Sequence, residues 1–164
     1  MKRLILMRHA KSDRDTTDKP DFERPLAKRG TEEAPVMGKF LRKEKLIPDL
    51  IICSPAKRAK ETLELVVKEF KQDVKIEFDK DIYDKEDAGV INIIKNTKDS
   101  VDTLMIVGHN PTLESLVYTL ISDMIPYDKF GTCGVGVIDF DIKKWNDIKA
   151  GTGKLVLIKT PKLI

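Results

Sequence analysis

Short apolar runs alternate with segments of helical periodicity along most of this chain. The runs predict six strands, at residues 3–8, 49–53, 74–78, 103–107, 135–140 and 154–159. Apolar residues at helical spacing separate the first four strands, for example Ala59, Leu63 and Val66. Because strands that alternate with helices are typical of parallel sheets, we predict an α/β fold with a mainly parallel sheet. The last two strands have no helical pattern between them, so we expect them to pair antiparallel.

The length and composition indicate one globular domain that spans residues 1–164. Hydrophobic residues make up 41% and charged residues 35% of the 164 residues, which is typical of a soluble fold. The net charge of +3 is small, and no block of Lys and Arg indicates a nucleic-acid partner. Cys53 and Cys133 form no CxxC pair, so neither a metal site nor a disulfide framework is expected. No apolar run is long enough for a signal peptide or a membrane span, and we expect a cytoplasmic protein that binds no membrane.

The only two histidines of the chain each follow a predicted strand. His9 comes after Leu4-Ile5-Leu6-Met7-Arg8, and His109 comes after Leu104-Met105-Ile106-Val107-Gly108. A third strand ends in Ser54-Pro55, and Arg58 follows shortly after it. Ligands of open α/β sheets bind at the carboxyl ends of the strands. The sequence therefore predicts an anion pocket that is lined by Arg8, Arg58 and two histidines.

Two helices are predicted to begin at this edge of the sheet. Ser54-Pro55 and Asn110-Pro111 each combine a preferred N-cap residue with proline at the first helical position. The free N–H groups of such helix starts favour anions. By contrast, residues 11–25 are rich in Asp, Lys and Arg with two prolines, and they predict a loop.

These residue types suit phosphoryl transfer. Two arginines are able to hold a phosphoryl group while its oxygens carry the developing charge. A neutral imidazole is a nucleophile that forms phosphohistidine, and a second, protonated imidazole stabilises the anion or donates a proton. The pattern thus indicates covalent catalysis by one of the histidines.

Four segments in the expected order resemble the histidine phosphatase superfamily, which includes the cofactor-dependent phosphoglycerate mutases. Arg8-His9-Ala10 resembles its Arg-His-Gly signature, and Gly108-His109-Asn110-Pro111 resembles its second-histidine motif. Residues 54–62 resemble its serine-proline segment with Arg-Ala-x-x-Thr, and Arg24-Pro25-Leu26 with Gly30 resembles the stretch before the first helix. The resemblance covers about residues 3–121, and the Arg-His-Ala-Lys-Ser start is most similar to the small SixA-type phosphohistidine phosphatases.

The resemblance implies a three-layer α/β/α fold like that of phosphoglycerate mutase, and no metal or other cofactor. It implies that His9 is the nucleophile and that Arg8, Arg58 and His109 contact the phosphate. Arg24 is expected to be a further phosphate contact. Family members often place an acidic residue beside the second histidine, but Asn110 excludes that arrangement here. Asp84 is the nearest match to their other position for a general acid, but a solvated acidic loop is the preferred interpretation of this segment.

The sequence therefore predicts a metal-independent phosphatase that forms a phosphohistidine intermediate. Its expected substrate is phosphohistidine in a protein. One alternative keeps the chemistry and changes the substrate to a small phosphorylated metabolite. Another is a phosphate-binding module without catalysis, which would not need the imidazole of His9.

Overall fold

The structure is a computed structural model that describes residues 1–15, 18–122 and 130–164. Within this part of the chain the strands are β1 (Lys2–Arg8), β2 (Leu50–Cys53), β3 (Lys75–Phe78), β4 (Thr103–Gly108), β5 (Val135–Phe140) and β6 (Lys154–Lys159). The helices are α1 (Lys28–Lys43), α2 (Lys57–Lys68), α3 (Asp81–Asp84), α4 (Asp87–Lys95) and α5 (Thr112–Leu120). A short 3₁₀ turn, Asp21–Glu23, lies between β1 and α1 in the segment predicted as a loop. Residues 16 and 17 of that segment lie outside the described residues.

The strands form one sheet in the order β3-β2-β4-β1-β5-β6. The pairs β3–β2, β2–β4 and β4–β1 are parallel, whereas β5 pairs antiparallel with both β1 and β6. The mainly parallel sheet and the antiparallel pairing of the last two strands are therefore confirmed. Arg8 lies opposite Gly108 in the β1–β4 register, so the two histidines that follow these strands emerge side by side.

Both faces of the sheet are covered, which confirms the three-layer prediction. Leu4 and Leu6 of β1 point to a core that is shared with α4 and α5. Ile5 and Met7, which alternate with them, point to a second core that is shared with α1 and α2. Successive residues of a strand face opposite sides, so the unbroken apolar run of β1 supplies both cores.

The two helix starts differ from the prediction. The first helix begins at Lys57 rather than Pro55, and the second begins at Thr112 rather than Pro111. The Oγ of Ser54 accepts a 3.2 Å hydrogen bond from the N–H of Ala56, which lies just before the helix. Ser54 therefore organises the turn that leads into α2, whereas the Oδ1 of Asn110 accepts a 3.2 Å hydrogen bond from the N–H of Glu114 inside α5. Both prolines lie before the first helical residue.

A close contact fixes the start of α1 against the segment that follows β1. The N–H of Ala27 donates to the carbonyl of Lys11 at 2.9 Å. A Cβ atom at Gly30 would overlap that same carbonyl oxygen. Only glycine lets the helix approach the backbone this closely, so Gly30 helps to position the residues after His9.

We predict that Gly30→Ala destabilises the protein by about 1–3 kcal/mol, because the added methyl group must push the helix away from rigid backbone. Urea unfolding of the wild type and the variant measures the change. Gly131→Ala is the matched control, because a Cβ atom there lies no closer than 3.7 Å to the side chain of Thr160. Equal stabilities of the two variants would contradict this account of α1.

Candidate active site

A small cavity of about 150 Å³ opens at the carboxyl ends of the parallel strands. Its lining comprises Arg8, His9, Lys11, Ser12, Arg14, Arg24, Arg58, His109, Asn110 and Thr132. Five of these ten side chains are arginine or lysine, so the cavity attracts anions. Two larger clefts, of about 590 and 570 Å³, lie elsewhere and include neither histidine. The structure thus brings Arg8, His9, Arg24, Arg58 and His109 together, as the sequence predicts.

The two histidine rings lie next to each other at the floor of the cavity. Their centroids are 5.2 Å apart, and the ring planes are inclined by 56°. The N–H of His9 donates to the carbonyl of Gly108 at 3.0 Å, which continues the β1–β4 ladder by one residue. The parallel pairing of these strands therefore sets the distance between the histidines.

His9 is held in one tautomer. Its Nδ1 lies 2.7 Å from the carbonyl oxygen of Ala10, and because a carbonyl only accepts, Nδ1 carries the proton. The lone pair is then on Nε2. The pKa of His9 is lowered to about 3, mainly by burial and in smaller part by the neighbouring His109, Arg58 and Arg8, against the opposing effect of the bond to Ala10. His9 is therefore a neutral imidazole at pH 7, which is the nucleophilic form.

Thr62 ties the orienting carbonyl to helix α2. The N–H of Ala10 donates to the Oγ of Thr62 at 2.9 Å, and this hydroxyl donates to the carbonyl of Arg58 at 2.7 Å. Thr62 is fully buried. This pair of bonds gives a physical role to the threonine of the Arg-Ala-x-x-Thr segment, because it fixes the backbone that sets the tautomer of His9.

His109 is bonded on one ring nitrogen. Its Nε2 lies 2.8 Å from the Oγ of Ser54, while its buried Nδ1 has no hydrogen-bond partner within the described part of the chain. The pKa of His109 is lowered to about 4, mainly by burial and in smaller part by Arg58, Arg8 and Arg24, whereas Asp21 opposes them. A bound phosphate would raise this pKa, because it brings negative charge beside the ring.

The arginines are partly engaged by the protein itself. Arg58 is the second residue of α2, and its Nη1 and Nη2 donate to the main-chain oxygen and the carboxylate of Asp21 at 2.8 and 3.2 Å. Arg24 contacts the same carboxylate at 2.9 Å and donates to the Oγ of Ser12 at 3.0 Å. Burial lowers the pKa of Arg8, and its Nε and that of Arg58 lack a partner among residues 1–15, 18–122 and 130–164. Each guanidinium carries five N–H donors, so several remain for a ligand.

Sequence reasoning missed Asp21 and Tyr83. The carboxylate of Asp21 accepts from Arg24, from Arg58 and from the hydroxyl of Tyr83, which lies at 2.8 Å. Burial alone would raise the pKa of Asp21, but the bonds from Tyr83, Arg24 and Arg58 outweigh it and lower the pKa to about 2. Asp21 precedes Arg24 by three residues in a charged loop, which is the only sign of this contact in the sequence.

Asp84 lies apart from this group. It ends the short helix α3, its side chain is 45% exposed, and its carboxylate is 3.9 Å from the Nζ of Lys80. It is not among the cavity-lining residues given above. Its role as a general acid therefore has no support from the geometry.

The structure adds two observations on metals and membranes. Among the residues that it describes, no group of three or more His, Cys, Asp or Glu side chains is placed to hold a metal ion. In the same part of the chain, none of the helices has the length and apolar character that crossing a membrane requires.

Comparison with known proteins gives a consistent result. The sequence model of the histidine phosphatase superfamily (branch 1) matches residues 4–84. An uncharacterised protein of Mycobacterium tuberculosis is 33% identical over 165 residues, covering 95% of this chain and 100% of the relative. A crystal structure assigned as the phosphohistidine phosphatase SixA from Agrobacterium tumefaciens is 26% identical, with a TM-score of 0.83 and 98% coverage of both chains. The structure of a protein histidine phosphatase SixA complexed with tungstate has a TM-score of 0.78 at 22% identity, covering 98% of this chain and 97% of that one.

We predict that stability falls as the pH drops from about 6.5 towards 5. In the folded protein the pKa values of about 3 and 4 keep His9 and His109 neutral, whereas the unfolded histidines take up protons near pH 6.5. The unfolded state then binds more protons, and each histidine lowers the free energy of unfolding by at most about 1.4 kcal/mol per pH unit.

Urea unfolding between pH 5 and 7.5 measures this slope. Because the chain has no other histidine, the double variant His9→Asn/His109→Asn should lose most of it. Asp21 does not contribute to this slope. Its pKa is lowered to about 2, so its stabilising effect is complete above pH 3.8 and is lost only as the pH falls from about 3.8 to 2. An unchanged slope in the double variant would show that the histidines are not buried as neutral rings.

Proposed function

Because the chain belongs to the histidine phosphatase superfamily and is a phosphatase of the SixA type, we propose that it dephosphorylates phosphohistidine in proteins. His9 is the proposed nucleophile. The observation that carries this proposal is the neutral imidazole of His9, whose Nδ1–H is bound to Ala10 in a small cavity lined by cations. That arrangement leaves Nε2 free to attack a bound phosphoryl group.

In the proposed first step, Nε2 of His9 attacks phosphorus while the P–N bond of the substrate breaks. The substrate ring is protonated on its other nitrogen beforehand, so it takes the bonding electron pair and leaves as a neutral imidazole. His9 then carries phosphorus on Nε2 and a proton on Nδ1, which makes its ring cationic. The bond from Nδ1–H to Ala10 strengthens as this charge develops.

In the second step, water attacks phosphorus and the Nε2–P bond breaks. The electron pair returns to Nε2, the water loses its proton to solvent, and inorganic phosphate departs. The proton stays on Nδ1 throughout, since Nδ1–H continues to donate a hydrogen bond to the carbonyl of Ala10. A cationic ring is a better leaving group than an anionic one, so the same hydrogen bond favours both the attack and the hydrolysis.

The proposed phosphate contacts are Arg8, Arg58, Arg24 and His109. The guanidinium groups hold the phosphoryl oxygens while charge moves between the attacking and leaving atoms. His109 becomes protonated as the dianion binds beside it. Its Nδ1 then donates to a phosphoryl oxygen, while Nε2 keeps its contact with Ser54. In this proposal arginine and histidine supply the positive charge.

Phosphohistidine suits this cavity better than an alkyl ester. Departure of an alkoxide needs a proton from a general acid, a contribution that is typically ~10²–10⁴-fold. The lining of the cavity includes no carboxyl side chain in the part of the chain that the structure describes. A leaving imidazole that is already protonated does not need one.

We predict that His9→Ala abolishes turnover but not phosphate binding. The variant lacks the attacking atom, while Arg8 and Arg58 still hold an oxyanion. Turnover is measured in the presence of EDTA, and vanadate binding is measured by calorimetry. The wild type, stopped shortly after mixing with substrate, should carry an acid-labile phosphoryl label that the variant lacks. More than about a tenth of wild-type activity in His9→Ala would refute the assignment of the nucleophile.

The substrate proposal predicts an order of kcat/KM: phosphohistidine in a protein, then an aryl phosphate, then an alkyl phosphate. A phenolate leaves with little help, so aryl esters lie in the middle. An alkyl phosphate that reacts as fast as phosphohistidine would favour the small-metabolite alternative. A loss confined to alkyl phosphates in Asp84→Asn would establish Asp84 as a general acid. Binding without turnover of any of the three would favour the non-catalytic module.

A further inference from the structure

Two aromatic side chains lie next to residues that line the cavity, on the side of the 3₁₀ turn. Phe22, in that turn, and Tyr83, in helix α3, meet edge to face with centroids 5.0 Å apart and an interplanar angle of 80°. Phe22 is 36% exposed. We call this pair the aromatic rim.

The aromatic rim is held in a fixed position relative to the reacting groups. The ring of Tyr83 meets the ring of His109 edge to face at 5.6 Å, and the guanidinium of Arg58 lies 6.0 Å from its centre. Its hydroxyl donates to Asp21 at 2.8 Å. Tyr83 thus contacts two proposed phosphate ligands and, through Asp21, the turn that carries Phe22.

The size of the cavity places the leaving group at its mouth. Its volume is about 150 Å³, far smaller than the clefts of about 590 and 570 Å³, so it suits a phosphoryl group with little else attached. The rest of the substrate must therefore project outwards. Lys11, Arg14 and Arg24 line the cavity on the side of the loop, and the aromatic rim lies beside His109 and Arg58.

We propose that the aromatic rim, Phe22 with Tyr83, binds a planar leaving group and so selects ring-bearing phosphoryl compounds over alkyl ones. The inference rests on the proposed function and adds residues that determine its specificity. Aromatic pairs gain about 0.5–1.5 kcal/mol beyond the area that they bury, and a protonated imidazole adds a cation–π attraction. The exposed face of Phe22 is available for this contact, whereas Tyr83 supports it and closes the side next to His109.

The first experiment uses binding alone, so it does not depend on turnover. Phenylphosphonate and methylphosphonate both carry a stable C–P bond, and they differ in the ring. Calorimetry of the wild type should show that the phenyl compound binds about 2–12-fold more tightly, the ratio that corresponds to about 0.5–1.5 kcal/mol. Phe22→Leu, which keeps apolar bulk but lacks the ring, should remove this preference, and Phe22→Tyr should retain it.

The second experiment uses two substrates with the same type of scissile bond. N-phosphoimidazole carries a ring on its P–N bond, whereas phosphoramidate carries none. Phe22→Leu should lower kcat/KM for N-phosphoimidazole by about 2–12-fold, mainly through KM, and should change phosphoramidate turnover less than twofold. Phe78→Leu is the matched control, because Phe78 is a 51% exposed phenylalanine of β3 that contacts Lys60 outside the cavity, and it should change neither.

The outcomes of these experiments test the role of the aromatic rim separately from the proposed function. Equal losses on both substrates, or no phosphonate preference in the wild type, would overturn the role of the rim and leave Phe22 as a packing residue. Failure of the wild type to hydrolyse either P–N compound would instead count against the phosphohistidine proposal. The phosphonate preference and its loss in Phe22→Leu would still establish the rim in that case.

Discussion

The parallel pairing of β1 with β4 is the constraint on which the site depends. Arg8 lies opposite Gly108, and one further backbone bond joins His9 to that glycine. Neither histidine is able to move along its strand without breaking the ladder, and both strands are buried on both faces. The 5.2 Å separation of the rings is therefore a property of the sheet rather than of a flexible loop. Sites built on regular elements keep their geometry better than sites built on loops.

A second constraint is electrostatic and connects the cavity with the proposed reaction. Burial and the surrounding cations lower the pKa of His9 to about 3 and that of His109 to about 4, so both rings are neutral before a ligand arrives. The negative charge of a bound phosphate dianion raises the pKa of a neighbouring histidine, which opposes the effect of the cations. His9 keeps its reactive lone pair because its Nδ1 already holds a proton against Ala10. No carbonyl among the described residues accepts from Nδ1 of His109, so in the proposed reaction this ring becomes protonated. In the proposed reaction, one backbone carbonyl thus gives the two histidines of the cavity different roles.

The sequence predicts the sheet and the residues at its carboxyl edge well, for a clear physical reason. Strands buried on both faces must be continuous apolar runs, and a polar residue directly after such a run must lie at the sheet edge. His9 and His109 are found by this local signal alone. The helix starts are less well predicted. The hydroxyl of Ser54, for example, accepts from the N–H of Ala56 before the helix and contacts His109, and it does not cap the helix itself.

Asp21 and Tyr83 show what a local pattern does not reveal. The carboxylate of Asp21 meets Arg58 across 37 positions of sequence and Tyr83 across 62, so only the fold brings these groups together. This carboxylate also explains how Arg24 and Arg58 share a small cavity: without a negative charge between them, the two guanidinium groups would repel each other. Its low pKa follows from the same contacts and keeps it charged across the neutral range. Asp21 therefore holds two proposed phosphate ligands in place and, through the hydroxyl of Tyr83, connects them to the aromatic rim. The charged loop, which has the least regular sequence pattern of the region, thus joins the group that binds the phosphate to the surface proposed to recognise the rest of the substrate.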